Sequence, residues 1–484
     1  MAEPAADAAA TSGTPPSYSI LSSIHKRWMV PVLECAGWVA GAPPNATFVW
    51  QLRKKKLPDP LGAAVHNSLP NLLMLDDKAV LGLLSRGFTR TAPLITHVLY
   101  GEWDDSRIEA LRARWAEPGC SEPRWWIVKD AHSSNGFSAA LFDRAKRPLA
   151  KEDVSGGYCY VLQEYVERPL TIEGRKFELR QYVLVLGDGA AYTYEVALLR
   201  LASVAYAIDS TDRRAHITNK WIQTGWEGSN ELCTQAEMER LSLDWPTYDA
   251  LLAAEIVPLV HDLADAVAPL LGAGYRASSA AAASAGFELF ACDLVVSEEG
   301  RAHLMEVLGQ SSRFGEVRRG LTRGLGEVDL VARQGSLSPL AGGASRQVNI
   351  NPAFGTFSDD TEERLVRPMF ADLLALAVLP FAPGGGGAPA APTGRFRRVR
   401  CAGLELPGPG PPPPGAEGVE SAEGASAPAP ALIAEAAPPA GPAASARADA
   451  ISDDLRSHMA YVAFKQSSKK RYERKVIEER PLLL

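Results

Sequence analysis

Two carboxylates, three charged positions on one strand and a lysine at a strand end are the residues of this sequence best suited to chemistry. Asp293 sits inside Phe287-Glu-Leu-Phe-Ala-Cys-Asp-Leu-Val-Val296, a run that is apolar on both faces, as expected of a strand covered on both sides. A carboxylate there is costly unless a cation or a metal meets it. Ser297-Glu-Glu-Gly300 and a second apolar run ending Leu304-Met-Glu-Val307 follow, so the segment reads as a hairpin. With Ser297 paired to Gly300, Asp293 lies opposite Leu304, and Glu306 falls on the same face one diagonal step away, at roughly 7 Å. Two carboxylates so held could share a hard cation such as Mg2+. Equally, one could be a buried ion-pair acid and the other an exposed glutamate.

A period of two through Arg175-Lys-Phe-Glu-Leu-Arg-Gln-Tyr-Val-Leu-Val-Leu186 sets Lys176, Glu178 and Arg180 on one face. Phe177, Leu179, Val183 and Val185 take the other. Three charges on one face are either a wet outer surface or the lining of a cleft for anions. Lys129 ends the strand Trp125-Trp-Ile-Val-Lys129, ahead of the loop His132-Ser-Ser-Asn-Gly136. Backbone donors and a lysine in that order suit phosphate oxygens, and a single glycine in a serine-rich loop is also an ordinary turn. Arg200 closes another apolar run, and His216-Ile-Thr-Asn219 forms a polar cluster soon after.

Holding such groups takes a packed scaffold, and 484 residues suffice for two or three domains. The apolar fraction of 46% is ordinary for a globular chain. A net charge of −7 gives no bulk attraction to nucleic acid. Six cysteines without CxxC spacing argue against a zinc site and against a disulfide framework. No apolar stretch reaches membrane-spanning length, and the Ala-rich start lacks a basic-then-apolar signal, so a reducing, cytoplasmic setting is expected.

Along the chain, residues 1–16 read as a disordered leader and 17–100 as an N-terminal lobe. That lobe holds a strand around Ala46–Leu52, the basic run Arg53-Lys-Lys-Lys56 and an amphipathic helix from Asp77 to Leu84. Residues 101–380 form the core, with strands at 125–129, 158–166 and 175–186. Helices are expected over 246–271, kinked at Pro258, and over 361–379, broken at Pro368. Residues 381–448 are Pro/Ala/Gly-rich and read as a flexible linker. Residues 449–484 read as a basic helical tail ending in Lys469-Lys-Arg-Tyr-Glu-Arg-Lys475.

These blocks together resemble the tubulin–tyrosine ligase-like family, a branch of the ATP-grasp ligases. The resemblance spans about His66 to Leu379. Val161-Leu-Gln-Glu-Tyr-Val-Glu-Arg-Pro-Leu170, Gly174-Arg-Lys-Phe-Glu-Leu-Arg-Gln-Tyr-Val183, His216-Ile-Thr-Asn219 with Ile222-Gln223, and the hairpin carry it. Val65-His-Asn-Ser-Leu-Pro70 adds a weaker match. It implies an α+β enzyme of the ATP-grasp fold, with N-terminal, central and C-terminal lobes followed by the linker and tail. It implies ATP and Mg2+. Lys129 and Lys176 would contact phosphates, and Gln163, Glu164, Tyr165 and Val166 would form the hinge that holds adenine. Glu178 stands where the family has Asp in the nucleotide site, and Thr218 and Asn219 would lie near ribose and substrate. Arg180 and Arg200 would hold the incoming amino acid or an acyl-phosphate intermediate, and Asp293 and Glu306 would bind the metal.

The reaction so implied turns an acceptor carboxylate into an acyl phosphate, from which an amine displaces phosphate. Such chemistry needs positioning and charge neutralisation rather than a Ser or Cys nucleophile. The implied acceptor is tubulin or microtubules, with glutamate, tyrosine or glycine as the free amino acid, in a cytoskeletal setting that includes cilium or flagellum. Acidic tubulin tails would suit the basic runs at 53–56 and 469–475. Nucleic acid and membrane are not expected partners. The alternatives are an impaired ATP-grasp protein that binds microtubules without catalysis, and a ligase of a small molecule or another protein.

The sequence departs from the family in three places. The phosphate loop, Ser134-Asn-Gly-Phe-Ser138, is thin in glycine and has no basic residue. Glu178 is one methylene longer than the family's Asp. Leu308 follows Glu306-Val307 where the family has Asn, and Val348-Asn-Ile-Asn-Pro-Ala-Phe354 reads as the missing continuation. Residues 308–348 are then an insertion or an unspliced intron. If that segment loops out, Asn349 returns beside Glu306 as a third metal ligand; if not, Asn349 is a loop residue and the metal site is incomplete.

Overall fold

The computed structural model describes residues 14–42, 45–50, 65–67, 69, 75–100, 105–131, 138–154, 159–219, 222–223, 230–233, 248–275, 286–308, 359–381 and 394–400, and, near the C-terminus, 451, 453–455, 457–458 and 461. Asn349, the loop 132–136, nearly all of 308–348 and both basic runs lie outside them. The architecture is α+β, and its strands fall into three sheets.

The first sheet holds β1 (Ser17–Ile20), β2 (Val39–Ala40), β3 (Phe48–Trp50) and β4 (Val65–His66), all parallel, in the order β2-β1-β3-β4. Parallel neighbours need a crossover, and helix α1 (Ser23–Cys35) makes it between β1 and β2.

The second sheet is antiparallel, with β5 (Thr96–Leu99), β6 (Trp125–Asp130), β7 (Ala140–Asp143) and β8 (Tyr160–Glu164) in the order β5-β8-β6-β7. Helix α2 (Lys78–Ser85) lies on β5 so closely that a Cβ on Gly82 would stand 2.5 Å from Thr96 Cγ2. Helix α3 (Asp105–Ala116) buries Ile108 and Leu111 against Trp126, Val128 and Phe142. Alternation along β6 then turns Ile127 and Lys129 to the opposite face. β5, on the N-terminal side of the boundary expected at residue 100, is hydrogen-bonded to β8 on its other side.

The third sheet carries the site. Its strands are β9 (Thr171–Ile172), β10 (Arg175–Leu186), β11 (Ala191–Tyr194), β12 (Ala197–Leu201), β13 (Asn230–Cys233), β14 (Phe287–Val296), β15 (Ala302–Leu308) and β16 (Phe396–Arg400). β10 is central: β14 runs along one side, and β12 and β11 divide the other. The short helix α4 (Arg213–His216) follows β12. Both faces of the sheet are covered. Phe177, Leu179, Val183 and Val185 join Phe290, Cys292, Leu294 and Val296 under helix α5 (Val257–Tyr275). Tyr182, Leu184, Phe287 and Leu289 pack against α1 and helix α6 (Arg367–Ala377) through Trp28, Met29 and Phe370.

Pro258 and Pro368 are the second residues of α5 and α6, and each helix is entered through a π-helical turn, Leu252–Ile256 and Glu362–Val366. Proline has no N–H for the preceding turn and its ring crowds that turn's carbonyl. The wider turn accommodates both effects, which is the form the expected kinks take.

The stretch expected to be linker, 381–448, contains a strand. Within it β16 pairs antiparallel with β11, and Phe396 is 1% exposed. The strand is not a plain alternation: Phe396 packs in one apolar cluster and Val399 against the other, with a register irregularity between Ala191 and Tyr192 of the partner strand. Near the C-terminus, the described residues from Ile451 to Tyr461 are helical and lie against α2 and β5. Among the described residues, Cys35, Cys120, Cys159 and Cys292 are free thiols, and no helix is long and apolar enough to cross a membrane.

Candidate active site

The hairpin differs from its expected register, and the difference builds the site. Ser297 N donates to Arg301 O at 2.9 Å, and Gly300 N donates to Ser297 O at 2.8 Å. Gly300 has φ +79°, so the loop has three residues closed by a left-handed glycine rather than two. Val296 then faces Ala302, and Leu294 faces Leu304. Regular pairing beyond that point would set Asp293 against Met305 and leave Glu306 on the far face with Leu304. A β-bulge absorbs Met305, and Asp293 pairs directly with Glu306. Leu304 and Val307 both stay in the apolar cluster on the other face, as the extra residue requires. The expected Asp293–Leu304 pairing is replaced, and the two carboxylates are true cross-strand neighbours.

The neighbouring strands extend this pair into a row of charges. Arg180 on β10 is the register partner of Asp293, and Arg200 on β12 is the partner of Glu178. Arg180 grips Asp293 with Nε at 2.8 Å and Nη2 at 2.9 Å. Arg200 Nη2 reaches both Glu178 Oε2 and Asp293 Oδ2 at 2.8 Å. Burial would raise the Asp293 carboxyl, but the two guanidinium groups override it and hold its pKa below the usual carboxylate range. Arg200 Nε is buried and has no hydrogen-bond partner among the described residues.

Three lysines close the cleft. Lys78, from the first turn of α2, meets Glu306 Oε1 at 2.9 Å. Burial opposes its charge, and Glu306 with Asp76 and Asp77 more than compensates, so its pKa is raised. Lys129 Nζ donates to Gln163 Oε1 at 2.8 Å, and burial brings its pKa down to about 8. Lys176 Nζ donates to His216 O at 2.9 Å and lies 4.8 Å from the centre of the Tyr165 ring. Its pKa is lowered, first by burial. Tyr165 in turn hydrogen-bonds His216 Nδ1 at 3.0 Å. The cleft has a cavity volume of about 70 Å³ and opens to solvent, and Ile127, Val166 and Met305 line it together with the charged row.

The residues predicted from the sequence converge here, with three qualifications. Lys129, Gln163, Glu164, Tyr165, Val166, Lys176, Glu178, Arg200, Asn219, Asp293 and Glu306 line the cleft. Arg180 does not; it stands behind Asp293 in a bidentate pair, so its first contact is the carboxylate rather than a substrate. Thr218 is fully buried, off the cleft wall, and its hydroxyl orients Glu178. Asn349 lies outside the described residues. Of the four hinge residues, Gln163 holds Lys129, and the amides of Glu164 and Tyr165 are bonded to the carbonyls of Ile95 and Trp125. Sequence reasoning missed Lys78. Its signal was the N-cap Asp77 immediately before it, which fixes a helix start at the cleft edge. Among the described residues no three His, Cys, Asp or Glu side chains converge on one metal position.

The sequence profile of the Tubulin-tyrosine ligase family matches residues 104–310, and over that segment the chain is similar to that family. Tubulin glycylase 3A of Drosophila melanogaster is 28% identical over 142 residues, which is 28% of this chain and 14% of that protein. Tubulin monoglycylase TTLL3 of Homo sapiens is 27% identical over 200 residues, 38% of this chain and 25% of that protein. Probable tubulin polyglutamylase TTLL2 of Mus musculus is 27% identical over 199 residues, 39% of this chain and 34% of that protein. The matched stretches thus span a third or less of most of these relatives' own lengths.

Proposed function

We propose that this chain is an ATP-dependent ligase of the ATP-grasp kind that joins an amino acid to a protein carboxylate, with tubulin as the acceptor. The observation that carries the reading is the arrangement of charge. Lys78, Lys129, Lys176 and Arg200 line the cleft together with Glu164, Glu178, Asp293 and Glu306, so three lysines stand around two carboxylates, Asp293 and Glu306, that face each other across the hairpin. A polyphosphate with a divalent cation is the ligand class that lysines set beside paired carboxylates fit best. The unpartnered Arg200 Nε supports the fit, since a buried donor calls for an acceptor.

In this reading the residues divide their work. Asp293 and Glu306 would hold Mg2+, which when bound neutralises phosphate charge. Lys78, Lys129 and Lys176 bind and orient the phosphates from three elements. Val166, Ile127 and Met305 exclude water around the base. Arg180 and Thr218 fix the two carboxylates, Asp293 and Glu178, in place. Arg200 presents its Nε to the acceptor carboxylate or the incoming amino acid. The relatives are named as glycylases and a probable polyglutamylase of tubulin, which supplies the acceptor and two of the donors to test.

A second reading has its own observation. Both Asp293 oxygens are already engaged by arginines, as in a protein that keeps the fold without the metal. Assembled microtubules incubated with the full chain, ATP, Mg2+ and radiolabelled glycine, glutamate or tyrosine decide between them. Incorporation of any one supports the ligase. Microtubule co-sedimentation with no incorporation supports the binding protein.

A further inference from the structure

Near its C-terminus the chain carries a buried side chain that the site as described leaves unused. Ile451, Asp454, Leu455, His458 and Tyr461 recur at helical spacing and face α2 and β5. Asp454 pairs with Arg86 at 2.8 Å, Leu455 packs on the apolar cluster around α2, and the Tyr461 ring lies 4.4 Å from that of Tyr100. His458, at the centre of this face, is 0% exposed. Its Nε2 stands 3.0 Å from Asp77 Oδ2, and its Nδ1 3.1 Å from the Tyr100 hydroxyl. A ring carrying its proton on Nε2 donates to the carboxylate and accepts from the hydroxyl.

Asp77 is the N-cap of α2. Its Oδ1 accepts from Ala79 N at 2.8 Å, and its carbonyl accepts from Leu81 N at 3.0 Å. One carboxylate therefore holds the helix with one oxygen and His458 with the other. Lys78, the next residue, reaches Glu306 at 2.9 Å. Whatever fixes the cap fixes the turn that carries this lysine.

We propose that the helical face centred on His458 is a positioning element of the cleft. Docked, it locks Asp77 onto the α2 cap and so holds Lys78 opposite Glu306. Undocked, it lets the first turn of α2 fray and weakens the grip on a polyphosphate. His458 acts through Asp77 and Lys78 and touches no ligand itself. The ligand half of this inference rests on the proposed function; the mechanical half rests on the hydrogen bonds alone.

Two measurements on the full chain test the halves separately. Hydrogen exchange read over residues 78–85 should speed up about fivefold in His458→Ala, the ratio that loss of a cap implies. Exchange over β1 should stay unchanged, and His458→Gln, which keeps a donor toward Asp77, should restore most of the protection. If His458→Ala loosens the whole fold, Asp454→Ala, which removes only the exposed pair with Arg86, serves instead and should speed the same amides to a smaller extent. Unaltered exchange at α2 in the folded variants overturns the proposal. Binding of a fluorescent ATP analogue should weaken about fivefold in His458→Ala by the same cap argument. Faster exchange with unchanged affinity overturns the role assigned to the lysine. No binding by the wild-type chain instead overturns the nucleotide reading, and the exchange result then stands by itself.

Discussion

Asp293 is the residue on which the charged row turns. It is 2% exposed and is met by two guanidinium groups. From the sequence, Asp293→Ala and Lys129→Ala are both expected to abolish transfer without unfolding the chain. The structure separates the two. Removing one member of a buried ion cluster leaves the others uncompensated, and costs about 3–5 kcal/mol. Asp293→Ala should therefore lower the unfolding free energy by that amount, read as a fall in the urea midpoint at unchanged slope; a cost near zero would show the arginines to be solvated. Lys129 is different, because burial already disfavours its charge. Its pKa of about 8 in the folded chain lies below the ordinary lysine value of 10.5. Between those values the unfolded chain binds more protons, so this group's penalty on stability is full below pH 8 and eases as pH rises toward 10.5. An anionic ligand restores the proton, so nucleotide affinity should fall as pH rises through about 8. Lys129→Arg, always charged, should flatten that profile; an unchanged profile would mean that another group sets it.

At the scale of elements, two close fits aim the side chains. The Met305 bulge turns Glu306 toward Asp293, and Gly82 lets α2 lie on β5 with Lys78 at the cleft edge. Gly82→Ala would press a methyl into Thr96, an overpacking worth about 1–3 kcal/mol, and should weaken nucleotide binding along with stability. Circular dichroism melts and a binding titration on one preparation check both; stability lost with affinity intact would detach α2 from the site. The elements differ in how far the sequence disclosed them. Charges at 176, 178 and 180, with Phe177 and Leu179 between them and an apolar run after them, declare a strand with one functional face, and β10 has it. The hairpin was equally plain, but its register was not, because a bulge has no composition of its own. Lys78 looked like any lysine on an amphipathic helix. β16 was hidden by the Pro/Gly/Ala-rich sequence on either side, which masks a short strand of Phe, Val and arginines.

For the whole molecule, opposite charges are gathered in one place. The chain is net acidic at −7, and the cleft brings Lys78, Lys129, Lys176 and Arg200 from α2, β6, β10 and β12 among Glu164, Glu178, Asp293 and Glu306. Phosphate groups find cationic partners there, and a divalent cation finds carboxylates. The resemblance found in the sequence reached to the site because its residues lie within strands β8, β10 and β14–β15, whose order along the chain survives in one dimension. It could not reach His458, which meets Asp77 only after the chain has returned across 381 positions. The account as a whole stands on amino-acid transfer at this cleft. Labelled glycine, glutamate and tyrosine, offered separately with ATP, Mg2+ and microtubules to the wild-type chain and to Lys129→Met, test it most directly. The account predicts ATP-dependent label on tubulin from at least one amino acid, and none from the folded variant. Wild-type protein that binds the nucleotide but transfers none of the three, or a variant as active as wild type, would contradict it.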